Sequence, residues 1–223
     1  MRSVEEFVAP GSDYYIHAPS RQAESMLLFP LQAGHFIYAP GYTLRRESFD
    51  SFLLMYIQKG SLTLTFEGRT RHVSSGSFIL IDCCKLHAYA AQDGCECLWC
   101  HFDGVTARGL YNAVASRLGC VFTLAGELPP LRKLQMIYDA FKGGGPVREP
   151  SMHKYLTDIM TSFLLAPPCR RGHGSRADRG GDHRLYCGAF LRGYPGGGSG
   201  RPRQYESLPF HPGLQTRNRL HAS

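Results

Sequence analysis

The sequence predicts a mainly β protein in which a closed barrel or sandwich of short strands is followed by helices. Between residues 34 and 102, short segments rich in β-branched and aromatic residues alternate with turn residues. After Gly104 the apolar residues recur at the spacing of an α-helix. After residue 166 the aliphatic residues give way to Gly, Pro and Arg. These observations divide the chain into a barrel, a helical segment and a tail.

The chain is predicted to begin with an arm that leads into the barrel. Residues 1–30 are assigned to the arm, because Pro and Ser interrupt "VAPGSDYYIHAPSRQ". The barrel is expected to span residues 31–104. Lys59-Gly60 and Glu67-Gly68 are predicted to form tight hairpin turns. Strands are expected at residues 34–39, 42–46, 52–58, 61–66, 69–73, 77–81, 86–91 and 95–102.

Amphipathic helices are predicted in residues 105–166. The first falls within "VTARGLYNAVASRL", and the second begins at Pro129-Pro130, which suit the first turn of a helix. A Gly-rich loop, "GGGP", joins the second helix to a third in an α-helical hairpin. Their apolar face either packs back on the barrel or forms a dimer interface, and the pattern favours neither. In the third helix five apolar residues share one stripe: Met152, Leu156, Ile159, Met160 and Phe163.

Composition and charge limit the class of protein. The chain has 43% apolar residues, which is enough for a buried core in 223 residues. Its eight cysteines are expected to be free thiols of a cytoplasmic protein, because the first thirty residues show no export signal. No apolar run reaches the roughly 18 residues needed to cross a bilayer, so no membrane partner is predicted. The net charge of +7 lies entirely after residue 166, where ten arginines face three acidic residues.

The segment "CLWCH", residues 97–101, has the spacing that attaches c-type haem. In a β-strand successive side chains point to opposite faces, so Cys97 and Cys100 would diverge. We therefore predict a strand of the barrel, with Trp99 and His101 on the face of Cys97. Structural zinc sites usually bring two cysteine pairs on turns, which this segment does not offer. No metal ligand and no cofactor is predicted.

The segment from Tyr56 to Gly104 resembles the cupin-type sensor domain of AraC/XylS transcription regulators. Four loose motifs occur in the family's order: Tyr56/Gly60/Leu62, Gly76/Leu80, His87/Tyr89 and Trp99/Phe102. The resemblance extends over residues 25–165. It implies a cupin-like jelly-roll barrel that holds a small-molecule effector, and a homodimer formed through the helices at residues 128–165. The predicted function is the ligand-sensing and dimerisation module of such a regulator.

The resemblance also implies candidate ligand-binding residues. Tyr89 and Trp99 correspond to aromatic positions that line the sugar site in the arabinose-binding member of the family, and His87 belongs to the motif of Tyr89. Tyr89, Trp99 and His87 are therefore the predicted ligand-binding residues. An arginine and a histidine of that sugar site correspond to Ala39 and Cys97 here. Arabinose itself is not predicted, although a sugar remains one candidate effector.

A metal-dependent cupin enzyme is the alternative function. The metal motif of such enzymes has two histidines separated by one residue, then a glutamate, and another histidine on a later strand. This chain has His87-Ala88-Tyr89, which lacks the second histidine, and no glutamate follows closely. His72 and His101 would join His87 only if the barrel brings them together. We therefore expect a protein that is not an enzyme and has no catalytic residues.

The tail after residue 166 departs from the family, whose members carry two helix-turn-helix motifs there. It holds 11 Gly, six Pro and no Val, Ile or Met, which predicts a disordered Arg/Gly-rich segment. If the codons are read from their second base, with synonymous codons chosen freely, those of residues 183–200 permit the translation "TVYIAEHFYEDIPEEDLA". Those of residues 203–222 permit "VNMSPYHFIRVFKRETGYTP". The second resembles the family's recognition-motif stretch. We therefore interpret residues 167–223 as an out-of-frame tail.

Loss of those motifs predicts that this chain does not bind specific DNA sequences, and no DNA-binding residue is assigned. In the intact parent, ligand binding would change how paired DNA-binding domains are placed and so regulate transcription. DNA is therefore a partner of the parent only. An Arg-Gly segment that binds RNA without sequence preference is the remaining alternative for the tail.

Overall fold

The computed structural model describes residues 5–125 and 129–167. In this part of the chain the strands are β1 (Asp13–Ile16), β2 (Leu28–Tyr38), β3 (Tyr42–Arg46), β4 (Phe52–Phe66), β5 (Arg69–Ser74), β6 (Ser77–Asp82), β7 (His87–Ala91), β8 (Cys95–Gly104) and β9 (Val121–Thr123). The helices are α1 (Arg21–Met26), α2 (Ala107–Leu118), α3 (Pro129–Lys142) and α4 (Glu149–Leu165). The predicted fold class, a mainly β protein followed by a helical hairpin, is confirmed.

One long strand connects the two halves of the antiparallel sheet. Along one path the strands run in the order β1-β2-β8-β4-β6-β9, and the other pairs are β3 with β7, β7 with β4, and β5 with β4. The first half of β4 pairs with β6 and β8, whereas its second half pairs with β5 and β7. Because both halves share β4, the sheet curves around an interior.

The predicted hairpin at Lys59-Gly60 is wrong, because the chain continues through it as the single strand β4. The register of β4 against β8 shifts between Ile57 and Lys59. Gly60 has a φ of +70°, and a side chain there would collide with the backbone of Gly94. The glycine thus bends the strand at a bulge, which lets β4 pass from one set of partners to the other.

The predicted turn at Glu67-Gly68 does form. Its two residues have φ of +51° and +71°, and they join β4 to β5. Both residues have positive φ, as the tight hairpin turns of twisted sheets require. The contrast with Gly60 shows that a glycine between two strand-like segments is compatible either with a hairpin turn or with a bend in one continuous strand.

The central strands of the sheet have two buried faces. In β8, Cys97 and Trp99 belong to the apolar cluster inside the barrel, whereas Leu98, Cys100 and Phe102 belong to the cluster beneath the helices. This alternation is the period of two expected of a strand. The prediction that Cys97 and Cys100 point in opposite directions is confirmed.

Helices α2, α3 and α4 cover the outer face of the sheet. Their buried stripes share one apolar cluster with Leu54 and Leu98 of the strands. The ring of Phe163 lies 5.2 Å from that of Phe78 and 4.9 Å from that of Phe122. Of the two alternatives for these stripes, the structure shows packing on the barrel within one chain.

Part of the predicted arm belongs to the sheet. Strand β1 pairs with β2, and β2 begins at Leu28 rather than at residue 34. The proline at position 30 hid this early start, but a register shift beside it preserves the pairing with β8. Residues 5–12, which we call the arm segment, also follow β2. In it, Ala39 N–H donates to Phe7 O at 2.7 Å and Ala9 N–H donates to Ile37 O at 2.8 Å.

The predictions for the tail lie outside the described residues. These are the out-of-frame interpretation of residues 167–223, its disorder and its lack of DNA-binding residues, since the description ends at residue 167. Within residues 5–125 and 129–167, no helix is long and apolar enough to cross a bilayer.

Candidate functional site

A cavity lies inside the barrel, beneath the arm segment. Strands β2, β3, β4, β7 and β8 form its walls, so both halves of the sheet contribute. We call this cavity the barrel pocket. Its lining residues are Glu5, Gln32, Phe36, Tyr38, Tyr42, Leu44, Arg46, Leu53, Met55, Tyr89, Trp99 and His101.

Strand alternation explains why these residues meet. Tyr42, Leu44 and Arg46 are spaced by two along β3 and therefore share its inner face. The same spacing places Trp99 and His101 together on β8. Residues far apart in sequence thus converge because antiparallel pairing aligns the inner faces of neighbouring strands.

Aromatic rings make up much of the pocket wall. The rings of Tyr38 and Tyr42 are stacked with centroids 4.0 Å apart. Tyr89 lies 6.2 Å from Tyr38, and Phe36 packs edge-on against Trp99 at 5.2 Å. All five rings are at most 9% exposed. A wall of this kind binds apolar or planar groups through their faces.

Trp99 is held in a position that depends on a glycine. Its indole lies over Gly34 of β2, where a Cβ would come within 2.5 Å of Trp99 Cζ2 and 2.8 Å of Asp13 O. Trp99 is 4% exposed, and its Nε1 has no hydrogen-bond partner among the described residues. A buried donor without a partner is unfavourable by about 1–3 kcal/mol, so the indole offers this N–H to a ligand or to water.

An arginine and a glutamate supply the charge of the pocket. Arg46 lines it from β3, with its guanidinium carbon 5.3 Å from the ring centre of Phe49. Glu5 enters from the arm segment and accepts a hydrogen bond of 2.9 Å from the hydroxyl of Tyr42. Burial raises the pKa of Glu5, while the bond from Tyr42 and the charge of Arg46 lower it by less.

Two buried histidines lie near this arginine. His101 lines the pocket, and its Nδ1 is hydrogen-bonded to Ser51 Oγ at 2.8 Å. Burial lowers the pKa of His101 well below its usual value, and the charge of Arg46 lowers it further. His87 is 1% exposed, and its Nδ1–H donates to Lys85 O at 2.8 Å. Burial also lowers the pKa of His87, so both histidines are neutral near pH 7.

The barrel pocket is small. Its volume is about 20 Å³, which is room for about one water molecule. A larger ligand requires the lining to move, and the arm segment is the lining element that is not itself a barrel strand. Removal of Glu5 with this segment would enlarge the pocket at the expense of the hydrogen bonds that the segment makes to Ile37 and Ala39.

The predicted site residues are partly brought together. Tyr89 and Trp99 both line the pocket, whereas His87 does not, although it lies on the same face of β7 as Tyr89. Their role in ligand binding stays a prediction. Sequence reasoning missed Arg46 and Glu5. The spacing of Tyr42, Leu44 and Arg46 was the signal available for the arginine, while nothing local indicated that Glu5 reaches the pocket.

The described cysteines and histidines are not arranged as the ligands of a metal ion. The described cysteines are all free, and Cys97 and Cys100 lie in different apolar clusters. His72 is exposed on β5, away from His87 and His101. Among residues 5–125 and 129–167, no three His, Cys, Asp or Glu side chains are grouped to hold a metal ion.

Solved structures of low sequence identity resemble parts of this chain. One is a cupin superfamily protein from Desulfitobacterium hafniense, at 18% identity and a TM-score of 0.32, covering 41% of this chain and 77% of that one. A second is a cupin 2 conserved barrel domain protein from Leptotrichia buccalis, at 16% identity and a TM-score of 0.38, covering 57% and 50%. A third is the cupin domain of an XRE family transcriptional regulator from Enterobacter cloacae, at 14% identity and 0.32, covering 40% and 94%.

Comparison with protein families gives a more specific result. A search of curated proteins found no significant match. Residues 29–142, however, match the AraC-like ligand binding domain. This range contains β2 except its first residue, strands β3 to β9, helices α2 and α3, and every residue of the barrel pocket except Glu5. It covers more than half of the 223 residues, and the chain therefore belongs to the family of AraC-like ligand-binding domains.

Proposed function

We propose that this chain is the small-molecule sensing module of a transcription regulator and has no catalytic activity of its own. The observation that carries the proposal is the barrel pocket, which is lined by aromatic rings, among them that of Trp99, whose buried Nε1 has no hydrogen-bond partner among the described residues. Such pockets combine apolar walls with a few directed polar groups. The family match supports an effector as the occupant, and a cytoplasmic location follows from this role.

The arm segment is the element that would respond to the ligand. Because Glu5 fills part of the pocket, ligand entry displaces the arm segment or reorients it. The chain that follows is tied to the helical hairpin: Tyr138 O–H donates to Asp13 Oδ1 at 2.6 Å, and Ser20 N–H donates to Glu149 Oε1 at 2.6 Å. A change at the pocket therefore has a physical route to α3 and α4.

Dimerisation and DNA binding are the finer parts of the proposal. The apolar stripes of α3 and α4 are buried on the barrel, so a homodimer through residues 128–165 would use their outer faces, where Met136 is 41% exposed. Regulation of DNA-bound targets would belong to the parent protein with an intact helix-turn-helix region. Sequencing the coding DNA around codons 165–171 tests the out-of-frame interpretation of residues 167–223.

Trp99 provides a direct test of ligand binding, because it is the only tryptophan of the chain. Its fluorescence is measured while neutral sugars and small carboxylic acids are added singly, with thermal unfolding recorded in parallel. A compound that binds in the pocket changes the emission and raises the unfolding temperature by mass action. Tyr89→Ala removes part of the wall and is expected to weaken binding about tenfold or more.

Tyr155→Ala is the matched control for this experiment. Tyr155 is a partly buried tyrosine of α4 that lies under Lys133, 5.1 Å away, and does not line the pocket. Its loss is expected to leave ligand affinity unchanged. Binding that is equally weakened by both substitutions would contradict a site in the barrel pocket, and metal-dependent turnover of any bound compound would contradict the proposed absence of catalysis.

A further inference from the structure

The arm segment places a carboxylate inside a pocket whose strands provide none. Among the described lining residues, Glu5 is the only acid and Arg46 the only residue of fixed positive charge. Glu5 Oε1 is buried, and Glu5 Oε2 accepts the hydrogen bond from Tyr42. The charge of Arg46 acts on this carboxylate. The acidic residue of the pocket thus comes from the arm segment, whereas the cationic residue comes from strand β3.

Several strand residues that line the pocket are hydrogen-bond donors, whereas Gln32 adds a buried acceptor, its Oε1. The hydroxyl of Tyr42 stays protonated, because burial raises its pKa far above the ordinary value. Arg46 is a donor only, and so is the indole N–H of Trp99, which has no partner among the described residues. The donors of Tyr42 and Trp99 and the cation of Arg46 match an occupant that accepts hydrogen bonds and carries a negative charge.

This inference rests on the proposed sensing function. We propose that the effector is a small carboxylic acid and that Glu5 occupies the subsite of its carboxylate. When the effector binds, its carboxylate replaces that of Glu5 beside Tyr42 and Arg46. The remainder of such an effector packs against the rings of Tyr89 and Trp99. This exchange keeps a negative charge beside Arg46. A neutral sugar that displaced Glu5 would instead remove one negative charge from the surroundings of the guanidinium.

The exchange also explains how binding changes the arm. Few backbone bonds attach the arm segment to β2 and the residue that follows it, among them those of Phe7 and Ala9, and the Tyr42–Glu5 hydrogen bond attaches it to β3. Phe7 has a φ of +62° and is 54% exposed, so the backbone is strained there, while the neighbouring Val8 packs against the apolar cluster inside the barrel. A ligand carboxylate that displaces Glu5 from this subsite therefore also removes one of the bonds that hold the arm segment on the barrel.

The experiment uses propanoate, the side chain of glutamate without its backbone. Glu5→Ala in the full chain leaves the subsite open, and sodium propanoate is added while Trp99 emission and the unfolding temperature are measured. We expect propanoate to raise the unfolding temperature of Glu5→Ala, with a half-saturating concentration about tenfold or more below that of the wild type, whose own Glu5 competes. Sodium chloride keeps the ionic strength equal.

Three controls make the test specific. Propanamide has the same shape without the charge and is expected to have no effect on Glu5→Ala. Glu6→Ala removes an exposed acid next in sequence and should respond to propanoate as the wild type does. Arg46→Gln in the Glu5→Ala background should abolish the propanoate effect. Glu5→Ser, which also leaves the subsite open, replaces Glu5→Ala if that variant fails to fold. Equal responses to propanoate and propanamide, or a response that persists without Arg46, would overturn the proposal.

The outcome also separates this inference from the proposed function. A neutral sugar that binds the pocket with affinity independent of Glu5 and Arg46 overturns the carboxylate subsite and leaves the sensing function standing. Propanoate rescue of Glu5→Ala, combined with a failure of every added compound to bind the wild type, supports the subsite and contradicts the sensing function.

Discussion

The indole of Trp99 lies directly over Gly34 of the neighbouring strand, and the absence of a side chain on Gly34 is what makes room for it. A Cβ on Gly34 would lie 2.5 Å from Trp99 Cζ2 and 2.7 Å from Trp99 Cε2. The two residues are direct partners in the β2–β8 register. The position of the Trp99 ring in the pocket wall thus depends on Gly34, which leaves the space that the ring fills.

Gly34→Ala is predicted to displace the indole. The added methyl group collides with Trp99 and, at 2.8 Å, with the backbone oxygen of Asp13, so neither neighbour moves easily. Overpacking of this kind lowers the free energy of unfolding by about 1–3 kcal/mol. Because the chain has one tryptophan, the altered environment of Trp99 should also shift the emission spectrum. Chemical denaturation and fluorescence measure the two effects.

Gly109→Ala is the matched control, because it makes the same chemical change where there is space. A Cβ on Gly109 meets no atom within 4 Å, and the residue lies in α2. Alanine is favoured over glycine in a helix by about 1 kcal/mol. This variant should therefore be as stable as the wild type or more stable, with unchanged emission. Equal destabilisation by both substitutions would refute the steric explanation.

The inner face of β8 could be predicted from sequence because it depends on local alternation alone. Cys97, Trp99 and His101 follow one another at every second position, and the structure places them on the interior side. The helical stripe of α4 follows a similarly local rule. Tyr89 was assigned through the order of motifs, and the structure places it in the pocket wall.

The rest of the pocket could not be predicted, because it depends on pairings between distant segments. Its spacing in sequence places Arg46 on one face of β3, but this face lines the pocket only because β3 pairs with β7, with Arg46 opposite His87. Glu5 reaches it because the arm segment follows β2. Gly60 reads as a turn residue, and only its close approach to Gly94 shows that β4 continues. Loop closure and strand register are properties of the whole chain, which a local pattern does not contain.

Phe163→Ala is predicted to destabilise the whole domain rather than α4 alone. Phe163 is fully buried, and its ring contacts Phe78 of β6 and Phe122 of β9. Removal of a buried phenylalanine costs about 3–5 kcal/mol. If the helices and the barrel form one cooperative unit, denaturation of the variant still shows a single transition at lower denaturant concentration. A variant that unfolds in two separate transitions would contradict this packing.

Leu165→Ala provides the comparison for Phe163→Ala in the same helix. Leu165 is 84% exposed, so its truncation removes little buried surface. The expected change in the free energy of unfolding is within about 0.5 kcal/mol.

Asp82→Asn is predicted to weaken the link between β6 and α2. Asp82 accepts hydrogen bonds from the guanidinium of Arg108 and from the backbone N–H of Cys84. Burial alone would raise the pKa of Asp82, but these bonds outweigh it and the pKa lies below 3.8. The charged carboxylate therefore stabilises the fold at pH values above 3.8, and this contribution is lost as the pH falls through the lowered pKa.

The loss in Asp82→Asn at neutral pH should be about 1–3 kcal/mol, reduced by the half-exposed Arg108 side of the pair. Denaturation of both proteins at several pH values gives the difference directly. We expect that difference to shrink at pH values below 3.8. A difference that stays constant with pH would show that the effect of the substitution is not electrostatic.

The pH dependence of stability should reveal the two buried histidines. Burial lowers the pKa of His101 and of His87 below 6.5, whereas in the unfolded chain both titrate near that value. Below pH 6.5 the unfolded state thus binds more protons, so stability is fully present above this pH and is lost as the pH falls toward the folded pKa values. Each histidine contributes up to about 1.4 kcal/mol per pH unit. Glu5, whose pKa is raised by burial, has the opposite effect on stability, at pH values nearer its own pKa.

His101→Gln should therefore reduce the slope of the unfolding free energy against pH, between about pH 5.5 and 6.5, by roughly half, as measured by denaturation in matched buffers. An unchanged slope in that variant would mean that His101 is already protonated in the folded protein, which its burial beside Arg46 argues against.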